Sequence, residues 1–164
     1  MLVFTEATTL LAFKLKADVN DYLNFLPLTR GLRFCAWQGV ECNGLKNNSL
    51  IGPLPDLTGL FNLKSLFLDN NYFTVSLPPS LFSLHCIQNL DFFHNNFSGP
   101  ISTAFTSLDC FHSLRLSFNS FNSSIPLFNQ SLLKFFEVSD KNLSGAVPVT
   151  PTLFHFPTST PAFR

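Results

Sequence analysis

The apolar residues of this chain recur at fixed intervals rather than in blocks. In "LKSLFLDNNYF", residues 63–73, leucines alternate with polar residues and the run closes on paired asparagines. The pattern returns as "IQNLDFFHNNF" at 87–97 and as "FHSLRLSFNSF" at 111–121, each copy 24 residues after the last. A period of about 20–29 residues with apolar side chains at constant offsets is the signature of a stacked-coil solenoid. The L-x-L alternation predicts a short strand in each coil, with leucines inward and the residues between them outward. A single coil cannot bury its apolar edge, so stacking must supply a continuous core and a parallel sheet.

The frame extends through the chain. Leu63, Leu66, Leu68, Asn71, Phe73, Leu77 and Pro78 are followed by Ile87, Leu90, Phe92, Asn95, Phe97, Gly99 and Ile101. Next come Phe111, Leu114, Leu116, Asn119, Phe121, Ile125 and Pro126, and a shorter step of 22 residues reaches Phe136, Val138, Lys141, Leu143, Gly145, Val147 and Pro148. Asn48, Leu50, Gly52, Leu54 and Pro55 form the back half of an earlier copy. The turn after each strand leaves backbone groups facing inward. A buried amide carries a donor and an acceptor on one short stem, so Asn71, Asn95 and Asn119 are expected to form an internal ladder.

The outward positions read Ser65, Phe67, Asp69, Asn70; Asn89, Asp91, Phe93, His94; Ser113, Arg115, Ser117, Phe118; and Phe135, Glu137, Ser139, Asp140. Phe67, Asp91, Arg115 and Glu137 share one position on four strands, which sets Arg115 between two carboxylates. As surface pairs these are worth about 0–1 kcal/mol each. Exposed aromatics among polar groups make an interface hot spot, and Phe67, Phe93 and Phe118 are the candidate anchors. The candidate ligand-binding set on this concave face is Phe67, Asp69, Asp91, Phe93, His94, Arg115, Phe118 and Glu137.

Residues 6–44 do not follow the frame. Ala7, Leu10, Leu11, Phe13, Lys14 and Ala17 stand at helical spacing. Cys35 and Cys42 then enclose Trp37. That spacing is not C-x-x-C and no second ligand pair is near, so a structural disulfide is favoured over a redox or metal site. After Cys42 the chain passes almost directly to the second half of a repeat; Leu45 fills one strand position, but Asn43 stands where an apolar residue belongs. At the other end, the Pro- and Thr-rich residues 149–164 predict an unstructured tail.

Composition narrows the function. The chain has 164 residues, 12% charged, with a formal net charge of zero, which gives no electrostatic reason to expect nucleic acid or an anionic membrane. No run of about 18 apolar residues suggests a transmembrane helix. The start is a poor signal peptide: it lacks a basic leader and carries Glu6. Yet five N-x-S sequons, at Asn47, Asn96, Asn122, Asn129 and Asn142, point to an extracellular glycoprotein. No nucleotide-binding, kinase or G-x-S-x-G motif occurs, and no catalytic residue, metal or cofactor is expected. Cys86 and Cys110 with His85 and His112 invite a zinc site, but the histidines hold different repeat positions and would not converge. The two cysteines share a position in adjacent coils; buried thiols are favoured there, with a disulfide as the alternative.

The segments "NFSGPI", "NLSGAVP" and "SLIGPLP" resemble the plant-specific leucine-rich repeat. The resemblance covers nearly the whole chain. It implies a twisted leucine-rich-repeat solenoid of the α/β class, with a parallel β-sheet on the concave face and short strands or 3-10 turns on a flank. Residues 6–44 resemble the N-terminal helical cap of such proteins, and 45–148 then hold about four to five repeats, the first incomplete. "PDLTGLFNLKSLFLDNN" and "VTPTL" resemble receptor-like kinases of the pollen-receptor-like group, whose kinase domains are described as inactive. Such kinases carry a stalk, a membrane span and a kinase domain after the repeats, so the chain reads as a truncated ectodomain at the cell surface. The resemblance implies a non-catalytic module that binds a peptide ligand or a co-receptor ectodomain. A secreted inhibitor or defence protein, and a non-functional truncated product, are the alternatives.

Overall fold

The computed structural model describes residues 50–140 and 142–156. The described residues form eight short strands: β1 (Ile51–Pro53), β2 (Ser65–Phe67), β3 (Tyr72–Val75), β4 (Asn89–Asp91), β5 (Asn96–Gly99), β6 (Ser113–Arg115), β7 (Ser120–Phe121) and β8 (Phe135–Glu137). The even-numbered strands form one parallel sheet in the order β2-β4-β6-β8, and the odd-numbered strands form a second in the order β1-β3-β5-β7. The coils that hold β2 and β3, β4 and β5, and β6 and β7 each contribute one strand to each sheet and close through a short convex segment. That segment is a 3-10 helix at Pro79–Ser83 and again at Thr103–Ser107.

The leucine-rich-repeat solenoid expected from the sequence is the fold observed. The strand-centre residues Leu66, Leu90, Leu114 and Phe136 are all buried and in register, as period-2 alternation requires. Successive rows fill the interior behind them. Leu57, Leu81, Phe105, Phe128 and Leu153 line the convex wall, and Phe73, Phe97 and Phe121 form a column beneath the second sheet. The rings of that column stack, with Phe73 and Phe97 at 5.8 Å and Phe97 and Phe121 at 6.4 Å between centroids. A solenoid core is a line rather than a sphere, which is how so many phenylalanines are accommodated.

The three asparagines stand in one row and tie the coils together. The Phe73 amide donates to Asn95 Oδ1 (3.1 Å) and the Phe97 amide to Asn119 Oδ1 (3.0 Å). Asn95 Nδ2 donates to the carbonyl of Leu68 in the coil before (2.9 Å), and Asn119 Nδ2 to that of Phe92 (2.8 Å). Asn71 closes the same pattern with the Leu50 amide (3.2 Å) and the Leu68 carbonyl (2.9 Å).

The glycine of the G-x-I/L-P segment has a conformational role. Gly52, Gly99 and Gly145 all have positive φ, at 90°, 79° and 84°. One repeat before Gly99 the position is held by Val75, also at positive φ (60°). A β-branched residue pays about 1–2 kcal/mol there, more than a glycine loses through added chain entropy. Val75 is half exposed and gives up little burial. Val75→Gly is therefore expected to raise stability by about 0.5 kcal/mol, read from the midpoint of a urea transition.

Two parts of the described chain differ from the sequence reading. The 22-residue coil has a shorter convex segment, and Gln130 occupies its apolar row. Its amide is buried and Nε2 donates to the Phe105 carbonyl (2.8 Å), replacing a lost side-chain contact with a backbone bond. Residues 150–156, expected to be unstructured, continue the stack. Thr150 Oγ1 donates to the Phe128 carbonyl, Thr152 Oγ1 to the Gln130 carbonyl (3.2 Å), and Leu153–His155 form a 3-10 turn with Leu153 buried. Hydroxyls at alternate positions let this Thr-rich segment satisfy the carbonyls of the coil below, a possibility composition alone does not reveal. The helical cap, Trp37, Cys35, Cys42 and Asn47 lie outside the described residues, as do residues 157–164.

Candidate functional site: the concave sheet

Residues that flank the inward Leu66, Leu90, Leu114 and Phe136 of β2, β4, β6 and β8 point to the concave side, and strand register aligns them in rows. Phe67, Asp91, Arg115 and Glu137 are consecutive in-register partners. Arg115 reaches both neighbours: Nε donates to Glu137 Oε2 at 2.7 Å, and a terminal nitrogen stands 3.5 Å from Asp91 Oδ2. Its guanidinium also lies over the Phe93 ring, 3.7 Å from the centroid. Three partners thus hold one long side chain, which keeps 32% of its surface open to solvent.

The electrostatics follow. Burial, against the Phe93 amide donating to Oδ1, pushes the Asp91 carboxyl above its usual range, with the Asp69 charge adding and Arg115 opposing. Arg115 is raised further: burial works against its charge, but Glu137 and then Asp91 outweigh that.

An aromatic group adjoins this row. Phe93 meets Phe118 edge-on at 5.0 Å, and His94 lies 6.0 Å from Phe93 and 6.4 Å from Phe118. Phe118 is 61% exposed. His94 and Phe118 both have positive φ, 54° and 60°, and share that repeat position with Asn70 at 57°. Asparagine tolerates this conformation; a bulky ring at φ 60° is a strained choice. The turn therefore holds Phe118 out from the surface at an energetic cost.

The structure thus brings together Asp91, Phe93, His94, Arg115, Phe118 and Glu137. Phe67 lies half-buried one coil away, in register with Asp91. Asp69 does not belong to the exposed set. It is buried, and Oδ2 accepts from Asn70 Nδ2 at 3.0 Å. Ser65, Ser117 and Asp140, also expected outward, are buried as well. Past the strand ends the turns vary from coil to coil: Asp69, Ser117 and Asp140 are buried, whereas His94 and Phe118 are exposed. Phe135 was passed over as an anchor and is 48% exposed. Its place at an outward position was the available signal.

Asp140 closes the amide ladder where the repeat shortens. Its Oδ1 accepts from the Asn119 amide (2.6 Å), and its carboxylate also bonds the Phe121 amide. Among the described residues Asp140 Oδ2 and Ser117 Oγ have no partner. Burial pushes the Asp140 carboxyl up to about 6, from an ordinary value of 3.8, against the two amide bonds. A raised native pKa means that the fold prefers the protonated form. That preference is fully present below pH 3.8 and is lost as pH rises through about 6, so the ionised group costs stability at neutral pH. Asp140→Asn keeps the acceptor and removes the charge. It should stabilise the protein by about 1 kcal/mol at pH 7, and the difference from wild type should vanish below pH 4, as measured by thermal melts across that range.

The remaining candidates lie elsewhere. Asn96, Asn122, Asn129 and Asn142 are exposed, Asn96 at the start of β5 in the second sheet. Cys86 and Cys110 are free thiols, but Cys86 is exposed and Cys110 half-buried. The expectation of buried thiols is corrected: both sit in the turns that precede the strands, outside the core. Among the described residues no group of three or more histidines, cysteines and acids could hold a metal ion, and no helix is long and apolar enough to cross a membrane.

The Leucine Rich Repeat family model matches residues 62–84 and 86–108, two successive coils of this sheet. Over 87% of this chain and 83% of its own length, the crystal structure of the BIR2 ectodomain from Arabidopsis thaliana superposes with a TM-score of 0.75 at 26% identity. The fold is that of a leucine-rich-repeat solenoid, similar to that ectodomain. An inactive leucine-rich repeat receptor-like serine/threonine-protein kinase of Arabidopsis thaliana is 43% identical over 67 residues, 41% of this chain and 10% of the relative. The chain spans 7% to 10% of the length of the curated kinases it matches. The Arabidopsis receptor kinase HAESA, solved in complex with the peptide hormone IDA and the co-receptor SERK1, matches at TM-score 0.60 and 33% identity, over 63% of this chain and 18% of that one.

Proposed function

We propose that this chain is a non-catalytic, extracellular binding module of a plant receptor-like kinase in the inactive, pollen-receptor-like group. Its concave face takes a peptide ligand or a co-receptor ectodomain at the patch of Phe93, His94, Arg115 and Phe118. One observation carries this reading: a 61% exposed phenylalanine, held in a left-handed turn, beside a guanidinium already fixed by two carboxylates and a ring. Such a surface is rigid before a partner arrives, so little ordering entropy opposes binding. The HAESA complex supports the reading by showing that a similar solenoid binds a peptide hormone and a co-receptor.

The test is a screen of the secreted, glycosylated chain against secreted plant peptides and receptor ectodomains by biolayer interferometry. A binder is expected whose affinity falls at least about tenfold in Phe118→Ala and in Phe93→Ala, with melting curves that show both variants folded. A hit insensitive to both substitutions would move the site off the concave face.

A further inference from the structure

We propose that Cys86 and Cys110 form a redox-sensitive disulfide that staples the coil of β4 to the coil of β6. Each cysteine is the third residue of a tight turn, closed by the Ile87 amide on the Leu84 carbonyl (2.9 Å) and by the Phe111 amide on the Leu108 carbonyl (3.3 Å). The two turns are locked in register two residues later, where the His112 and Ser113 amides both donate to the Gln88 carbonyl, at 2.8 and 3.0 Å. Parallel neighbours at this point lie about 4.8 Å apart, inside the roughly 4.4–6.8 Å that a disulfide spans between Cα atoms. The other two turns of the row carry Asn62 and Leu132, so only this one junction has the paired thiols. Side chains at equivalent positions leave in parallel, and closure requires one turn to lean toward the other. Cys86 is exposed, so a shift of its thiol toward Cys110 displaces no core packing. The Cys110 turn is held, its carbonyl bonded to His112 Nδ1 at 2.6 Å.

Exposure sets the order of events. The oxidant is a low-molecular-weight disulfide such as oxidised glutathione. The Cys86 thiolate attacks one of its sulfurs and releases one glutathione thiolate, leaving a mixed disulfide. The Cys110 thiolate then attacks the Cys86 sulfur and releases the second. The two cysteines lose two electrons to the oxidant's sulfur–sulfur bond, and their protons pass through solvent to the released thiolates. The staple sits three residues ahead of β4 and β6, the strands that present Asp91 and Arg115, and its formation does not depend on what the concave face binds.

The experiment incubates the folded 164-residue chain with reduced and oxidised glutathione in graded ratio, then acid-quenches, alkylates and digests it without reduction for mass spectrometry. A peptide linking Cys86 to Cys110 is expected, formed at least tenfold faster than in concentrated urea, and Cys110→Ser should instead accumulate glutathione on Cys86. The linked protein should melt at a higher temperature than the reduced form, and dithiothreitol should reverse the difference. Glutathione on both cysteines of the wild type with no link between them would overturn the proposal, as would a link that forms equally fast in urea.

Discussion

Phe97→Ala is expected to destabilise the protein by about 3–5 kcal/mol and to break the cooperativity of its unfolding. The ring is fully buried at the centre of the phenylalanine column, stacked on Phe73 and Phe121 and tilted against Phe92 at 5.4 Å. Truncation removes the transfer energy of the ring and leaves a hole that neighbours in three coils cannot all relax to fill. A solenoid has only nearest-neighbour coupling, so a hole in the middle weakens the link between the two halves as well as the coil itself. Urea titration followed by circular dichroism should show a lower midpoint and a shallower slope. Phe154→Ala, at a ring 80% exposed, should stay within about 0.5 kcal/mol of wild type. Equal costs for the two variants would mean that the column does not hold the coils together.

The concave sheet was legible because its signal is phase, and phase survives substitution. Phe136 differs in kind from Leu66, Leu90 and Leu114, yet spacing placed all four inward and fixed Phe67, Asp91, Arg115 and Glu137 as one row. The three asparagines were legible for the same reason. Phase fails where the chain changes length. A step of 22 residues sets Lys141 opposite Asn119, and the frame assigned Asp140 to the surface; the Asn119 amide instead draws that carboxylate into the ladder. Asp69 and Ser117 show a second limit, since alternation describes a strand and both lie past the strand's end. The left-handed residues were not legible either. Asn70 is at home at positive φ, but nothing in the residues His94 and Phe118 announces it. Only alignment with Asn70 could have done so. Thr150 and Thr152 show a third limit: their composition matches a linker, and only the carbonyls of the coil beneath give their hydroxyls a structural use.

Asn119→Leu is expected to cost about 3–4 kcal/mol although the substitution adds apolar volume to the interior. The amide accepts from Phe97 N and donates to the carbonyls of Phe92 and Leu116, both at 2.8 Å. Leucine is nearly isosteric and would leave the Phe97 amide and the Leu116 carbonyl, in two adjacent coils, without side-chain partners, and the Phe92 carbonyl with only the longer 3.3 Å bond from Asn95 Nδ2. A buried backbone group deprived of its partner costs about 1–3 kcal/mol, and water reaching one of the three would recover part of that. The gain from burying a few extra apolar atoms is about 1 kcal/mol, so polar satisfaction decides the sign. Asn119→Asp separates the two halves of the ladder. It keeps the acceptor for Phe97 N but turns the donor into a second carboxylate oxygen facing the Phe92 and Leu116 carbonyls. Its cost should approach that of leucine at pH 7 and shrink below pH 4, where protonation restores one donor. Hydrogen exchange at the Phe97 amide gives a local readout: protection should fall in Asn119→Leu and persist in Asn119→Asp. Protection unchanged in the leucine variant would show that the ladder does not hold that amide.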